Sequence, residues 1–74
     1  MHVYDFEVLN DGAVVSAERS VVLADPRAAW PEVERLARRH NERGSKIRVK
    51  DETGRIVILT GVASVLRHVR KLAA

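Results

Sequence analysis

The sequence predicts an α+β fold: an antiparallel sheet of about four strands in ββαββ order, packed on one helix, followed by a C-terminal amphipathic helix. Stretches with period-two alternation occur in two pairs, and turn-forming residues join the members of each pair. Two further stretches carry apolar residues at three- and four-residue spacing, one between the pairs and one after them. The 74 residues are expected to form a single domain, 1–74.

The first predicted hairpin lies at the N-terminus. Residues 2–9 alternate apolar with acidic side chains, which is typical of a half-buried strand. Asn10-Asp11-Gly12 follows, and these residue types tolerate the positive φ of a tight turn. The returning strand carries the polar residues 16–20, where we expect a bulge or a break.

The first predicted helix follows Asp25-Pro26, a pair that favours a helix start. Pro31 would remove a hydrogen bond from the interior of such a helix. We therefore expect a kink at Pro31, or a regular helix that starts only near residues 28–31. Gly44 is predicted to end the helix. One apolar stripe runs along it, formed by Trp30, Val33, Leu36, Ala37 and His40.

The second predicted hairpin is the stretch from Lys46 to Leu59, in which residues 51–54 form the turn. The four consecutive apolar residues 56–59 predict a strand that is flanked in the sheet and covered on both faces. The terminal helix follows Gly61. The predicted core comprises Tyr4, Phe6, Val8, Trp30, Val33, Leu36, Ile47, Val49, Ile56 and Ile58.

The composition excludes several classes of protein. With 46% hydrophobic and 31% charged residues, most of the chain is expected to be ordered. The absence of cysteine excludes a disulfide framework, a thiolate nucleophile and a zinc ribbon. Asp5 and Glu7 interrupt the first apolar residues, so no signal peptide is expected, and no apolar run is long enough to span a membrane. We expect a cytoplasmic protein.

The net charge of +3 is divided unevenly along the chain. Residues 1–34 contain two basic and seven acidic residues, whereas residues 35–74 contain eleven basic and three acidic residues. Such a division is a hint of contact with nucleic acid or a membrane surface. The alternative interpretation, which we favour, is that the acidic half lies beside the basic half in the fold and neutralises it.

The turn and core residues together resemble those of a family of small uncharacterised bacterial proteins, known mainly as a domain of unknown function. The resemblance covers roughly residues 1–59 and implies a single ββαββ domain without established catalytic residues. The polar residues 16–20, Pro31 and the terminal helix depart from the family pattern. The matching residues are Tyr4, Phe6, Val8, Asp11-Gly12, Val22-Leu23, Asp25, Ala28-Ala29, Ile47, Val49, Asp51-Glu52 and Gly54-Arg55.

No residue pattern in the sequence predicts catalysis. The histidines His2, His40 and His68 lie in separate segments, without the local pairing that metal ligands usually show. His40 is expected to end the apolar stripe as a half-buried residue. No serine lies in a G-x-S-x-G elbow, and no phosphate-binding loop motif occurs. We therefore expect no enzymatic activity, no cofactor, no metal and no small-molecule substrate.

Two functions remain. The favoured one is a protein–protein interaction module, most simply a homodimer, because two helices with apolar stripes compete for one small sheet. Its predicted interface is the stripe of the terminal helix, formed by Val62, Val65, Leu66, Val69 and Leu72. The alternative is binding of nucleic acid. This binding would be weak and without sequence preference, because no exposed aromatic residue is predicted on which bases could stack. Its predicted contacts are Lys46, Arg48, Lys50, Arg67, Arg70 and Lys71.

Overall fold

Residues 1–73, which a computed structural model describes, form four strands and two α-helices; side chains are described for residues 1–69. A 3-10 turn at Pro26–Ala28 precedes the first helix. The elements in chain order are β1 (His2–Asn10), β2 (Ala13–Leu23), α1 (Ala29–Arg39), β3 (Lys46–Asp51), β4 (Ile56–Gly61) and α2 (Val62–Ala73).

The strands form one antiparallel sheet in the order β2-β1-β3-β4. The hairpins β1–β2 and β3–β4 therefore meet along β1 and β3, and β2 and β4 are the two edges. The α+β class and the order ββαββ are confirmed, with α1 between β2 and β3. One feature differs from the prediction: α1 and α2 both contribute to the same buried cluster, so both helices cover one face of the sheet.

The first hairpin closes through a two-residue turn. Asp11 and Gly12 both have positive φ, 56° and 79°, and Asn10 pairs with Ala13. Two central residues with positive φ match the right-handed twist of the flanking strands. β2 is continuous, but its register with β1 shifts twice, and Ser20 has a φ of 57° at one shift. The predicted bulge is confirmed, while the predicted alternative of a break is not observed.

The second hairpin turn is held by the carboxylate of Asp51. This carboxylate accepts hydrogen bonds from the backbone N–H groups of Thr53, at 2.9 Å, and Arg55, at 3.0 Å. Gly54 adopts a φ of 84°, which favours a residue without a Cβ atom. The turn therefore forms where the sequence predicts it.

The helix α1 begins at Ala29, within the range that the sequence predicts as one alternative. Pro31 is the third residue of the helix, where backbone N–H groups have no acceptor inside the helix. Proline is tolerated there. The helix ends at Arg39, five residues before Gly44, and His40 caps it by donating its backbone N–H to Leu36. Gly44, with a φ of 82°, belongs to the turn that leads into β3.

Most of the predicted core is buried in one cluster, which also includes residues of α2. Trp30 and Ile56 are exceptions, because each is 48% exposed. The buried stripe of α1 begins instead at Ala29, the neighbouring residue, which turns Trp30 towards the flank of the helix. The buried cluster comprises Tyr4, Phe6, Val8, Ala29, Val33, Leu36, Ala37, Ile47, Val49, Val62 and Val65.

The prediction that β4 is covered on both faces is wrong. β4 lies at the edge of the sheet, and Ile56, Val57 and Leu59 are exposed. Ile58 alone among the four apolar residues packs, partly buried, against the core. An uninterrupted apolar run is typical of a covered central strand, but here it occupies a free edge.

We predict that Leu36→Ala lowers the free energy of unfolding by about 2 to 5 kcal/mol, the usual cost of truncating a buried leucine. Leu36 lies inside the core, where the lost side chain leaves a cavity. Chemical denaturation measures the change. Val14→Ala, at an exposed position on β2, is the control and should change stability by less than about 0.5 kcal/mol. An equal effect of both variants would contradict the assigned core.

Candidate interaction surface

The sheet has one face without a helix, which we call the open face. Because α1 and α2 cover Tyr4, Phe6 and Val8, the alternating residues of β1 point to the other side. Residues directly opposite each other in the ladders share a face. The open face consists of Val3, Asp5, Glu7 and Leu9 of β1, Lys46, Arg48 and Lys50 of β3, and their partners on β2 and β4, which include Val14, Ala17, Val22, Ile56 and Leu59.

At the centre of the open face lies the carboxylate of Glu7, which is only 3% exposed. Arg48, directly opposite on β3, donates its Nε to Glu7 Oε1 at 2.8 Å. The Nζ of Lys50 lies 3.4 Å from the same oxygen. From β2, Arg19 approaches Glu7 Oε2 at 3.3 Å. One buried anion therefore joins three strands through three cations.

Asp5 continues this network toward the bulge of β2. It accepts a hydrogen bond from the backbone N–H of Ser20 at 2.8 Å, and Arg19 lies 3.5 Å from its other oxygen. Since Ser20 has a positive φ, the hydrogen bond to the carboxylate of Asp5 supports the unusual backbone of β2 at this point. The acidic first strand thus fixes both neighbouring strands.

The environment lowers the pKa of Glu7 below its ordinary value of 4.5. The hydrogen bond from Arg48 is the largest cause, and the positive charges of Arg48 and Lys50 act in the same direction. Partial burial acts in the opposite direction but is outweighed. Glu7 is therefore ionised throughout the neutral range.

The basic residues of the predicted nucleic-acid surface do not form one surface. Arg48 and Lys50 face Glu7, as expected if the acidic half neutralises the basic half. Lys46 is exposed on the open face, while Arg67 is exposed on α2, in the opposite layer. The side chains of the remaining two contacts, Arg70 and Lys71, lie outside the described residues.

The predicted interface stripe of α2 packs inside the chain. Val62, at 1% exposed, and Val65 belong to the core, and Leu66 and Val69 pack against it. The side chain of Leu72 lies outside the described residues. The stripe is internal because α1 and α2 lie side by side on the same face of the sheet, so the two helices do not compete for it.

Exposed apolar side chains lie on both edge strands, with Val14, Val15 and Val22 on β2 and a second group around β4. We call Trp30, Ile56, Val57 and Leu59 the β4 edge surface. Trp30 and Val57 line the same groove on the helix side, whereas Ile56 and Leu59 lie on the open face. The sequence analysis did not predict this surface. The one available signal was that β4 contains no charged residue. That feature is expected both for a strand that pairs with another chain and for a strand that is covered within its own chain.

The histidines lie apart, as the sequence indicates. His2 stacks on Tyr4 with ring centroids 6.2 Å apart, His40 caps α1, and His68 is exposed on α2. Within the described part of the chain, no group of three His, Cys, Asp or Glu side chains is placed to hold a metal ion. Among the described helices, none has the length and apolar character needed to cross a membrane.

Comparison with protein-family models, with curated proteins and with solved structures found no match to this chain. The resemblance to a family of small bacterial proteins therefore stays a prediction.

We predict that Glu7→Gln lowers the free energy of unfolding by about 1.5 to 3 kcal/mol at pH 7, the usual worth of hydrogen bonds to a charged group. Because folding lowers the pKa of Glu7, its contribution is complete above about pH 4.5 and is lost as the pH falls through the folded-state pKa. Urea denaturation at pH 7 and near pH 3 measures this.

The difference between the native chain and Glu7→Gln should be smaller at the lower pH than at pH 7. Glu42→Gln, which changes the same charge at an exposed loop position, is the matched control and should have little effect at either pH. A difference for Glu7→Gln that is the same at both pH values would show that its charge does not stabilise the sheet.

Proposed function

We propose that this chain is a non-enzymatic protein–protein interaction module that forms a homodimer through its β4 edge surface. The observation that carries the proposal is the grouping of exposed apolar side chains on both sides of a free edge strand. Such an edge presents unpaired backbone groups together with apolar side chains, which is a template for pairing with another strand.

The two edges of the sheet differ in how well they suit such pairing. β2 carries the charged residues Glu18 and Arg19 next to Ser20, and its register is shifted twice. Charges and bulges are the features that protect an edge strand from pairing. β4 has one register shift near its start, at Val57, and then continues as Ile58–Gly61 without charge or proline. β4 is the less protected edge.

A second copy of this chain is the occupant that best fits β4. Two identical strands pair antiparallel about a two-fold axis, which brings the same apolar residues of both copies together. None of the residues that make up the β4 edge surface is charged, so strand pairing there requires no charged side chain of β4 itself to be buried. Association is one of the ways in which small domains without disulfides are stabilised, and burial of an apolar edge would contribute to it.

The alternative function, nucleic-acid binding through the basic strand face, has less support. Arg48 and Lys50 pair with Glu7, and Arg67 of α2 lies in the other layer of the fold. We also propose that the protein is cytoplasmic, a compartment that the absence of cysteine suits. Membership in the family of small bacterial proteins that the sequence resembles is likewise a proposal.

Sedimentation velocity over a concentration series that reaches roughly millimolar tests the homodimer. We expect the native chain to be dimeric in the upper part of the series. Leu59→Lys places a charge in the β4 edge surface, at a residue that is 61% exposed, and should give a monomer. Its folding is checked by circular dichroism.

Val22→Lys is the matched control, since Val22 is 55% exposed on the same face but on the opposite edge strand. It should remain dimeric. A native chain that stays monomeric throughout the series would overturn the proposal. Equal loss of association in both variants would show that β4 is not the contact.

A further inference from the structure

We infer that a cleft at one end of the open face binds the phosphate group of a small phosphorylated molecule. The cleft has a volume of about 450 Å³, within the range of small-molecule sites. It lies where the β1–β2 turn, the loop before β3 and the middle of β4 meet. Its lining comprises Leu9, Asn10, Asp11, Gly12, Arg43, Gly44, Lys46, Arg48 and Leu59.

Three cationic residues line this cleft: Arg43, Lys46 and Arg48. Within the described side chains, neither Arg43 nor Lys46 forms an ion pair. Arg48 uses its Nε for Glu7, and a guanidinium has further N–H donors beyond that one. Asp11 contributes one carboxylate to the wall, so the cleft keeps an excess of positive charge.

The loop that carries Arg43 is held in place from both sides. The side-chain nitrogen of Asn10 donates to the backbone oxygen of Arg43 at 3.3 Å and to Ser45 Oγ at 2.9 Å. Ser45 is buried, and its backbone oxygen accepts a hydrogen bond from Val62 N–H at 2.9 Å. The loop is therefore tied to β1 and to the start of α2, which reduces the ordering that binding of a ligand would require.

The chemistry of the cleft selects a phosphate ester. Arg43 and Lys46 line the same cleft and form no ion pair among the described side chains, so an anion bound there would offset the repulsion between their charges. Guanidinium groups match the geometry of phosphate oxygens and form strong charge-assisted hydrogen bonds with them. Leu9 and Leu59 add apolar surface beside the cations. A ligand with a phosphate and an apolar or aromatic body fits both parts.

Amide chemical-shift titrations with inorganic phosphate and with phenyl phosphate test this inference, with sodium chloride at matched ionic strength as the reference. We expect saturable shifts at the amides of Gly12, Gly44 and Lys46. Phenyl phosphate should bind several-fold more tightly than inorganic phosphate, since its ring contacts Leu9, which lines the cleft outside the β4 edge surface.

The double variant Arg43→Gln/Lys46→Gln should bind phenyl phosphate about tenfold more weakly, as expected from the loss of two charge-assisted contacts. The control is Arg38→Gln/Arg67→Gln, which removes the same charge from exposed helix positions outside the cleft. It should retain native affinity. Neither double variant alters the β4 edge surface, so failure of this inference is distinct from failure of the proposed dimer.

Three results would overturn the inference. The first is a set of shifts that sodium chloride reproduces, which would reflect ionic strength alone. The second is an equal loss of binding in both double variants, which would reflect net charge rather than the cleft. The third is saturable binding of a single-stranded oligonucleotide at these amides without saturable binding of either phosphate compound, which would identify a nucleic-acid surface instead.

Discussion

The carboxylate of Glu7 lies at the centre of a sheet face that no helix covers, and the arrangement of the surrounding strands depends on it. Both helices are needed on the other face to cover a core that runs from β1 to β4. The central strands therefore present their second set of side chains to water. A buried anion in that position requires cations nearby, and Arg48, Lys50 and Arg19 provide them from both neighbouring strands.

This constraint also decides which surfaces remain for binding. The pairing with Glu7 engages Arg48 and Lys50, so part of the positive charge of β3 is balanced in the middle of the open face. Positive charge without such a partner is left at the end of that face, where Arg43 and Lys46 border the cleft. Part of the apolar surface of β4 remains exposed, because the helices cover only some of its side chains. Different ligands are thus proposed for different parts of one sheet.

Local signals in the sequence predicted most of the fold. Asn10-Asp11-Gly12 and Asp51–Gly54 marked both hairpin turns, because few residues adopt positive φ readily. Alternation along β1 and β3 identified their buried residues correctly. The candidate site was harder to predict. The buried stripe of α1 begins at Ala29 rather than at Trp30, a difference of one position that the spacing of the apolar residues does not reveal. An apolar run such as that of β4 occurs both in covered strands and at a free edge. Only the tertiary arrangement separates these cases.

Pairing of β4 with β4 of a second copy is tested most directly by isotope-filtered NOE spectroscopy on a sample mixed from labelled and unlabelled chains. The experiment detects protons of different copies that lie within about 5 Å of each other across paired strands. We predict interchain NOEs among Ile58, Leu59 and Thr60 of β4. Interchain NOEs confined to β2 or α2, or their absence from a sample that sediments as a dimer, would contradict the proposed pairing.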